Sequence, residues 1–140
     1  MIHNRSIIRK QIGFNLVELM IIVAIVAILA SIGFPAYQDN VRKTHRSKAK
    51  AALSDAASQQ EQFFLNNKTY TTDFSSTGIN FPTTTEAGLY VLSAVAPTAG
   101  CPITNCYVLQ AVPQAPQDTD SCGTLTYNSN GIKLPTNNCW

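Results

Sequence analysis

Histidine is almost absent from this sequence: His3 and His45 are the only two in 140 residues. A lone histidine set among arginines is a poor general base, so hydrolytic chemistry has little to work with. No nucleophile elbow, Walker loop, dinucleotide fingerprint or zinc-protease motif occurs. Paired Cys-x-x-Cys knuckles are missing too. Cys101 and Cys106 are five apart, Cys122 and Cys139 seventeen apart, and no histidine lies near them, which argues against zinc. Asp118 and Asp120 flank Thr119 and could offer oxygens to calcium, but two carboxylates fall short of the roughly six ligands that ion takes, so they read as a solvated turn. An excess of one charge is also lacking. Ten Lys and Arg stand against eight Asp and Glu, so net charge does not imply a nucleic-acid partner. The chain reads as non-enzymatic, with no cofactor and no metal.

What is abundant is aliphatic sequence near the N-terminus. Phe14 to Phe34 is a run of twenty-one residues with one charge, Glu18. As a helix it spans about 30 Å, enough for a bilayer core. Three of the basic residues, Arg5, Arg9 and Lys10, precede it, and without residues 1–13 the side chains sum to −1. That basic leader keeps the N-terminus cytoplasmic and predicts export of the chain beyond the apolar run. A secretory signal should have a shorter apolar core ending at a small-x-small site, and neither feature is present. All four cysteines lie on the exported side, as disulfides in an oxidising compartment would. Glu18 is costly inside hydrocarbon unless it is neutralised or finds a positive partner.

The ordered set IGFNLVELMIIVAIVAILASIGFPAY resembles the N-terminus of type IV prepilins: Gly, Phe, a Leu-Val-Glu-Leu block, a long aliphatic run and a Pro. The resemblance implies cleavage between Gly13 and Phe14 by a membrane prepilin peptidase that also N-methylates Phe14. It places Glu18 at the family's acidic position, while Asn15 departs from the more usual Thr. Cleavage would create an α-amino group in the same apolar layer as Glu18. The Glu18 carboxylate of one subunit could then pair with the Phe14 amine of its neighbour and set axial register, since removing either charge strands the other. Pro35 cannot donate to the Ser31 carbonyl, and with Gly33 nearby it marks a weak point in a long helix that bears on assembly.

Beyond Pro35 the helical pattern continues. Tyr37, Val41, Ala49, Leu53, Ala56, Ala57, Gln60, Phe63 and Phe64 recur at three- and four-residue steps, and Asn66-Asn67 marks the end. Asn67-Lys68-Thr69 also matches a glycosylation sequon, a pattern common by chance. Arg42, Arg46 and Lys50 fall at four-residue steps, with Lys43 and Lys48 between them. This basic face reads as solvated, as a partner contact, as attracted to anionic lipid, or as a DNA contact. Residues 67 to 88 read as a connecting loop. Strands are predicted at Leu89–Val95, Tyr107–Val112, Gly123–Asn128 and Ile132–Leu134, with Pro113 and Pro116 closing the second and Asn130-Gly131 turning between the last two. The expected fold is α+β: a long N-terminal helix packed on a three- to four-stranded antiparallel sheet. Its expected parts are a leader (1–13), a hydrophobic membrane and polymerisation segment (14–36), an amphipathic segment (37–66) and a head (67–140).

A head this small benefits from staples, and four cysteines allow three pairings. The tail CGTLTYNSNGIKLPTNNCW resembles the ending of PilE-like minor pilins, which supports Cys122–Cys139 by implication, leaving Cys101 with Cys106 before the second strand. The resemblance implies a structural subunit of a type IV pilus, a minor one, whose partners are other pilins, the inner membrane before assembly and the peptidase. Its head would be periplasmic and then exposed on a cell-surface filament serving adhesion or twitching motility. Related ComP-like minor pilins are DNA receptors, so DNA is the alternative partner for Arg42, Lys43, Arg46 and Lys50. A major pilin and a type II secretion pseudopilin are the other readings.

Overall fold

The computed structural model describes Gly13, residues 15–97 and residues 100–140. Residues 1–12 of the expected leader and the N-methylated Phe14 beyond its cleavage site lie outside the described residues. The chain divides into two units, one ending at Gln38 and one running from Asp39 to Trp140.

One helix, α1, runs Leu16–Asn67 with Pro35 inside it. Asn15 caps its start: its Oδ1 accepts from the Val17 N–H at 3.4 Å, and its carbonyl takes the Leu19 N–H at 3.2 Å. Glu18 stands in the first turn, where the helix dipole favours a carboxylate. At the far end Lys68 adopts a left-handed φ of 58°, its N–H bonds the Phe64 carbonyl at 2.8 Å, and its Nζ reaches the Leu65 carbonyl at 3.1 Å. A lysine here supplies the closing bend and also a cation at the negative end of the helix. The Asn67 amide of the sequon donates to the Phe63 carbonyl at 3.0 Å.

In the second unit the helix buries one narrow stripe, Ala49, Leu53, Ala56, Ala57 and Gln60. Three of the five are alanines, so the face that the helix presents to the core is shallow. Tyr37 does not join this stripe; it is 68% exposed. Gln60 is fully buried and exchanges two hydrogen bonds with the Thr71 backbone, its Nε2 donating at 2.6 Å and its Oε1 accepting at 3.2 Å. That pairing satisfies a buried amide and ties the post-helix loop down.

The sheet is antiparallel in chain order: β1 Tyr90–Val95, β2 Val108–Pro113, β3 Leu125–Asn128 and β4 Lys133–Leu134. Tyr90, Leu92 and Ala94 of β1, Leu109 and Ala111 of β2 and Leu125 of β3 face the helix in strict alternation. Pro113 belongs to β2 instead of closing it from outside. It sits opposite Tyr90, while Gln114 N–H bonds the Leu89 carbonyl at 2.9 Å. The missing donor of Pro113 therefore faces the β3 side, where pairing has already stopped at Ala111 and Leu125. In the β3–β4 hairpin the Gly131 N–H returns to the Asn128 carbonyl at 2.9 Å, and Gly131 takes the left-handed φ of 78°. Asn130 is a central turn residue and Gly131 follows it, so the loop is longer than a two-residue Asn-Gly turn.

Leu53 is 1% exposed and Leu65 is 68% exposed on the same helix. Leu53→Ala is expected to lower unfolding stability by about 2–5 kcal/mol, and Leu65→Ala by no more than ~0.5 kcal/mol. Thermal or denaturant unfolding of the full chain in detergent, followed by near-UV circular dichroism, checks both.

Candidate functional site

Two regions carry the residues that the sequence singles out. The first is the apolar half of α1. From Leu16 to Phe34 its large side chains are exposed, with Leu16 at 74% and Ile32 at 72%, and it is long and apolar enough to cross a membrane. Glu18 lies in its first turn and Pro35 just past its end.

The second is a polar junction in the head, centred on Asp120. A 3₁₀ turn, Gln117–Thr119, delivers this carboxylate to the helix. Arg46 grips it with two bonds, Nη2 to Oδ1 at 2.8 Å and Nε to Oδ2 at 3.0 Å. The Cys122 N–H adds a bond to Oδ1 at 3.1 Å; Gln117 Nε2 and the Tyr90 hydroxyl reach Oδ2 at 3.0 and 3.3 Å. The Gln117 amide also reaches the Tyr90 hydroxyl and the Arg42 carbonyl, both at 3.1 Å. Asp120 is 6% exposed, so the solvated turn expected around it is instead a buried anchor. Its acceptor positions are filled by protein donors, which is how a buried charge is tolerated. Burial alone would raise this carboxyl's pKa, but the Cys122 N–H and the Arg46 guanidinium outweigh it and hold it below its usual value.

The basic residues therefore separate. Arg46 is committed to Asp120. Lys48 pairs with Glu86 at 3.1 Å on the surface, and Arg42 lies 3.6 Å from Asp39 while donating to the Thr119 hydroxyl at 3.3 Å. Among the described residues Lys43, Lys50 and Lys133 make no ion pair. Burial, then Arg46, lower the Lys50 pKa, Asp120 pulls it back up, and Lys133 adds to the lowering. The Lys133 charge thus acts on Lys50 alongside Arg46, although helical spacing cannot join Lys133 to the basic cluster. Lys133 lies over both the Tyr127 and Trp140 rings, at 5.2 and 5.1 Å. The Trp140 indole N–H bonds the Leu134 carbonyl at 2.9 Å. The structure pairs Cys122 with Cys139 beside these rings, and Cys101 with Cys106 ahead of β2.

With this geometry in view, residues 35–126 match the family described as type IV minor pilin ComP, DNA uptake sequence receptor. The chain belongs to this family. It is 37% identical over 81 residues to the type IV major pilin protein PilE1 of Neisseria gonorrhoeae, covering 58% of this chain and 49% of that one. It is also 37% identical over 90 residues to the fimbrial protein EcpC of Eikenella corrodens, covering 64% and 57%. A solved type IV pilin from Shewanella oneidensis superposes with a TM-score of 0.54 at 28% identity, covering 71% of this chain and 97% of that one. The chain spans about half the length of the curated relatives it matches. A long helix packed on an open four-stranded antiparallel sheet is thus the type IV pilin fold, and the family and fold are structural.

Asp120 binds fewer protons folded than unfolded, so its contribution to stability is present at neutral pH and is lost as pH falls through its lowered folded value. Thermal unfolding measured from about pH 7 down to about pH 3 should show an acid limb that flattens in Asp120→Asn. Arg46→Ala, which strands the buried carboxylate, should cost about 3–5 kcal/mol at neutral pH.

Proposed function

We propose that this chain is a minor subunit of a type IV pilus, anchored by the apolar half of α1 in the inner membrane with its head in the periplasm, and then assembled with other pilins into a cell-surface filament. The observation that carries this is the row of exposed aliphatic side chains from Leu16 to Phe34 in a chain whose family is that of minor pilins. Exposed apolar surface of this extent requires lipid or other helices around it. Prepilin peptidase would cut between Gly13 and Phe14 and methylate the new amine, leaving a cation in the apolar layer four residues from Glu18. Glu18 of one subunit then neutralises the Phe14 amine of the next, and the pair fixes register because neither charge is tolerated alone in hydrocarbon. Pro35 withholds a donor from the Ser31 carbonyl and gives the helix a place to loosen during packing.

Mass spectrometry of filaments sheared from the producing cells tests this. The expected result is an N-terminal peptide beginning at N-methylated Phe14, at low abundance against other pilins. The same peptide as the dominant species would make this the major subunit. Processed chain held in membranes and absent from filaments would turn the assignment to a type II secretion pseudopilin. In the same assay Glu18→Ala should be inserted and cut normally yet be missing from filaments; normal incorporation would sink the charge pair.

DNA contact is the second reading, favoured by the family's receptor description and by the unpaired charge of Lys43, Lys50 and Lys133. Within the basic face of α1, Arg46 serves the fold and Arg42 is partly engaged, so Lys50 with Lys133 would carry the phosphate contacts. Duplex binding by the full processed chain in detergent should fall steeply with salt. Lys50→Ala/Lys133→Ala should reduce that salt slope by about two, with Lys68→Ala as the unchanged control. An unaltered slope in the double variant would remove these lysines from any DNA surface.

A further inference from the structure

A cleft of about 240 Å³ opens beside the Asp120 anchor, lined by Asp39, Arg42, Lys43, Arg46, Thr119 and Ser121 among others. Its chemistry is that of an anion site. Arg46 and Asp120 cancel one another, which leaves Arg42 and Lys43 against Asp39 alone. The Asp39 contact is loose: it is 3.6 Å long, and the Asp39 side chain is 64% exposed. The Arg42 side chain is 30% exposed, and an incoming oxyanion would displace the loosely held Asp39 carboxylate from its Nη2. Thr119 already holds the Arg42 guanidinium through a 3.3 Å bond, and Ser121 adds a second hydroxyl to the wall. A guanidinium, an ammonium and the Ser121 hydroxyl line one hollow, a set of donors suited to the oxygens of a phosphate ester, while the Thr119 hydroxyl, whose proton goes to the Pro116 carbonyl at 3.0 Å, serves to position Arg42.

We propose that this cleft takes the phosphate of an anionic phospholipid headgroup while the chain resides in the membrane. The proposal rests on the membrane-anchor reading above. The supply of such a ligand follows from sequence: Arg42 comes eight residues after Phe34, where the apolar run ends, a tether of about 12 Å as helix. Cations placed just outside hydrocarbon are attracted to anionic lipid. The head is thereby held by an exchangeable contact, which is released when the subunit leaves the bilayer for the filament.

The test uses the full chain in mild detergent, with phosphatidylglycerol or phosphatidylcholine added, and counts retained lipid by native mass spectrometry. One phosphatidylglycerol should be retained in preference to phosphatidylcholine. Arg42→Gln/Lys43→Gln should weaken that retention about tenfold, the scale of losing charge-assisted contacts. Lys48→Gln/Lys68→Gln, which removes the same charge elsewhere, should leave it unchanged. Equal loss in both double variants would reduce the effect to bulk charge and overturn the site. Binding of inorganic phosphate with no retained lipid would overturn the lipid source. Loss of duplex DNA binding, with no loss of lipid, in Arg42→Gln/Lys43→Gln would assign the cleft to DNA instead. Insertion into phosphatidylcholine nanodiscs is scored separately. Failure there sinks the membrane anchor, whereas insertion without phosphatidylglycerol preference sinks only this proposal.

Discussion

The head hangs together at one buried carboxylate. Asp120 joins the helix through Arg46, β1 through Tyr90, the 3₁₀ turn through Gln117 and the disulfide loop through the Cys122 amide. Gln117 and Cys122 are neighbours of Asp120 in sequence, but Arg46 and Tyr90 come from 74 and 30 positions away, so the junction is complete only when the helix and β1 have both arrived. The apolar core beside it is small and alanine-rich on the helix side, which permits close packing but fixes little by shape. Directional bonds at Asp120 supply the positional information that interchangeable alanines cannot.

This arrangement explains why the basic stretch after Pro35 is chemically uneven. Residues of one charge within two helical turns have three fates: Arg46 is internal, Lys48 has an exposed partner, and Lys43 and Lys50 stay unpaired. An exposed pair such as Lys48–Glu86 adds little stability, whereas a bidentate buried one cannot be broken cheaply. Sequence spacing alone treats the arginines and lysines as equivalents. The fold does not, since it commits Arg46 to Asp120 and leaves Lys48 on an exposed partner.

Local periodicity makes most of the architecture legible in the sequence. The apolar run, the helix end at Asn67, the Ala49–Gln60 stripe and the four strands all depend on neighbours a few residues apart, and their boundaries differ from the structure by a residue or two. Pro113 departs from expectation because a proline is excluded from a ladder only where its missing donor is needed, and that depends on where β3 stops. Tyr37 keeps the helical period yet lies exposed, since periodicity continues along a helix whether or not anything packs against it. The Arg46–Asp120 pair leaves no local trace. It joins residues 74 positions apart, and only the tertiary fold brings them together.

Both borders of the sheet are closed. On the β1 side, Thr83 and Thr85 bond Leu92 and Tyr90. On the β4 side, the Trp140 indole occupies the Leu134 carbonyl, and β4 itself is two residues long. Open strand borders are templates for pairing with another chain. A second chain brought against either border would find these groups already engaged, which disfavours growth of the sheet from head to head.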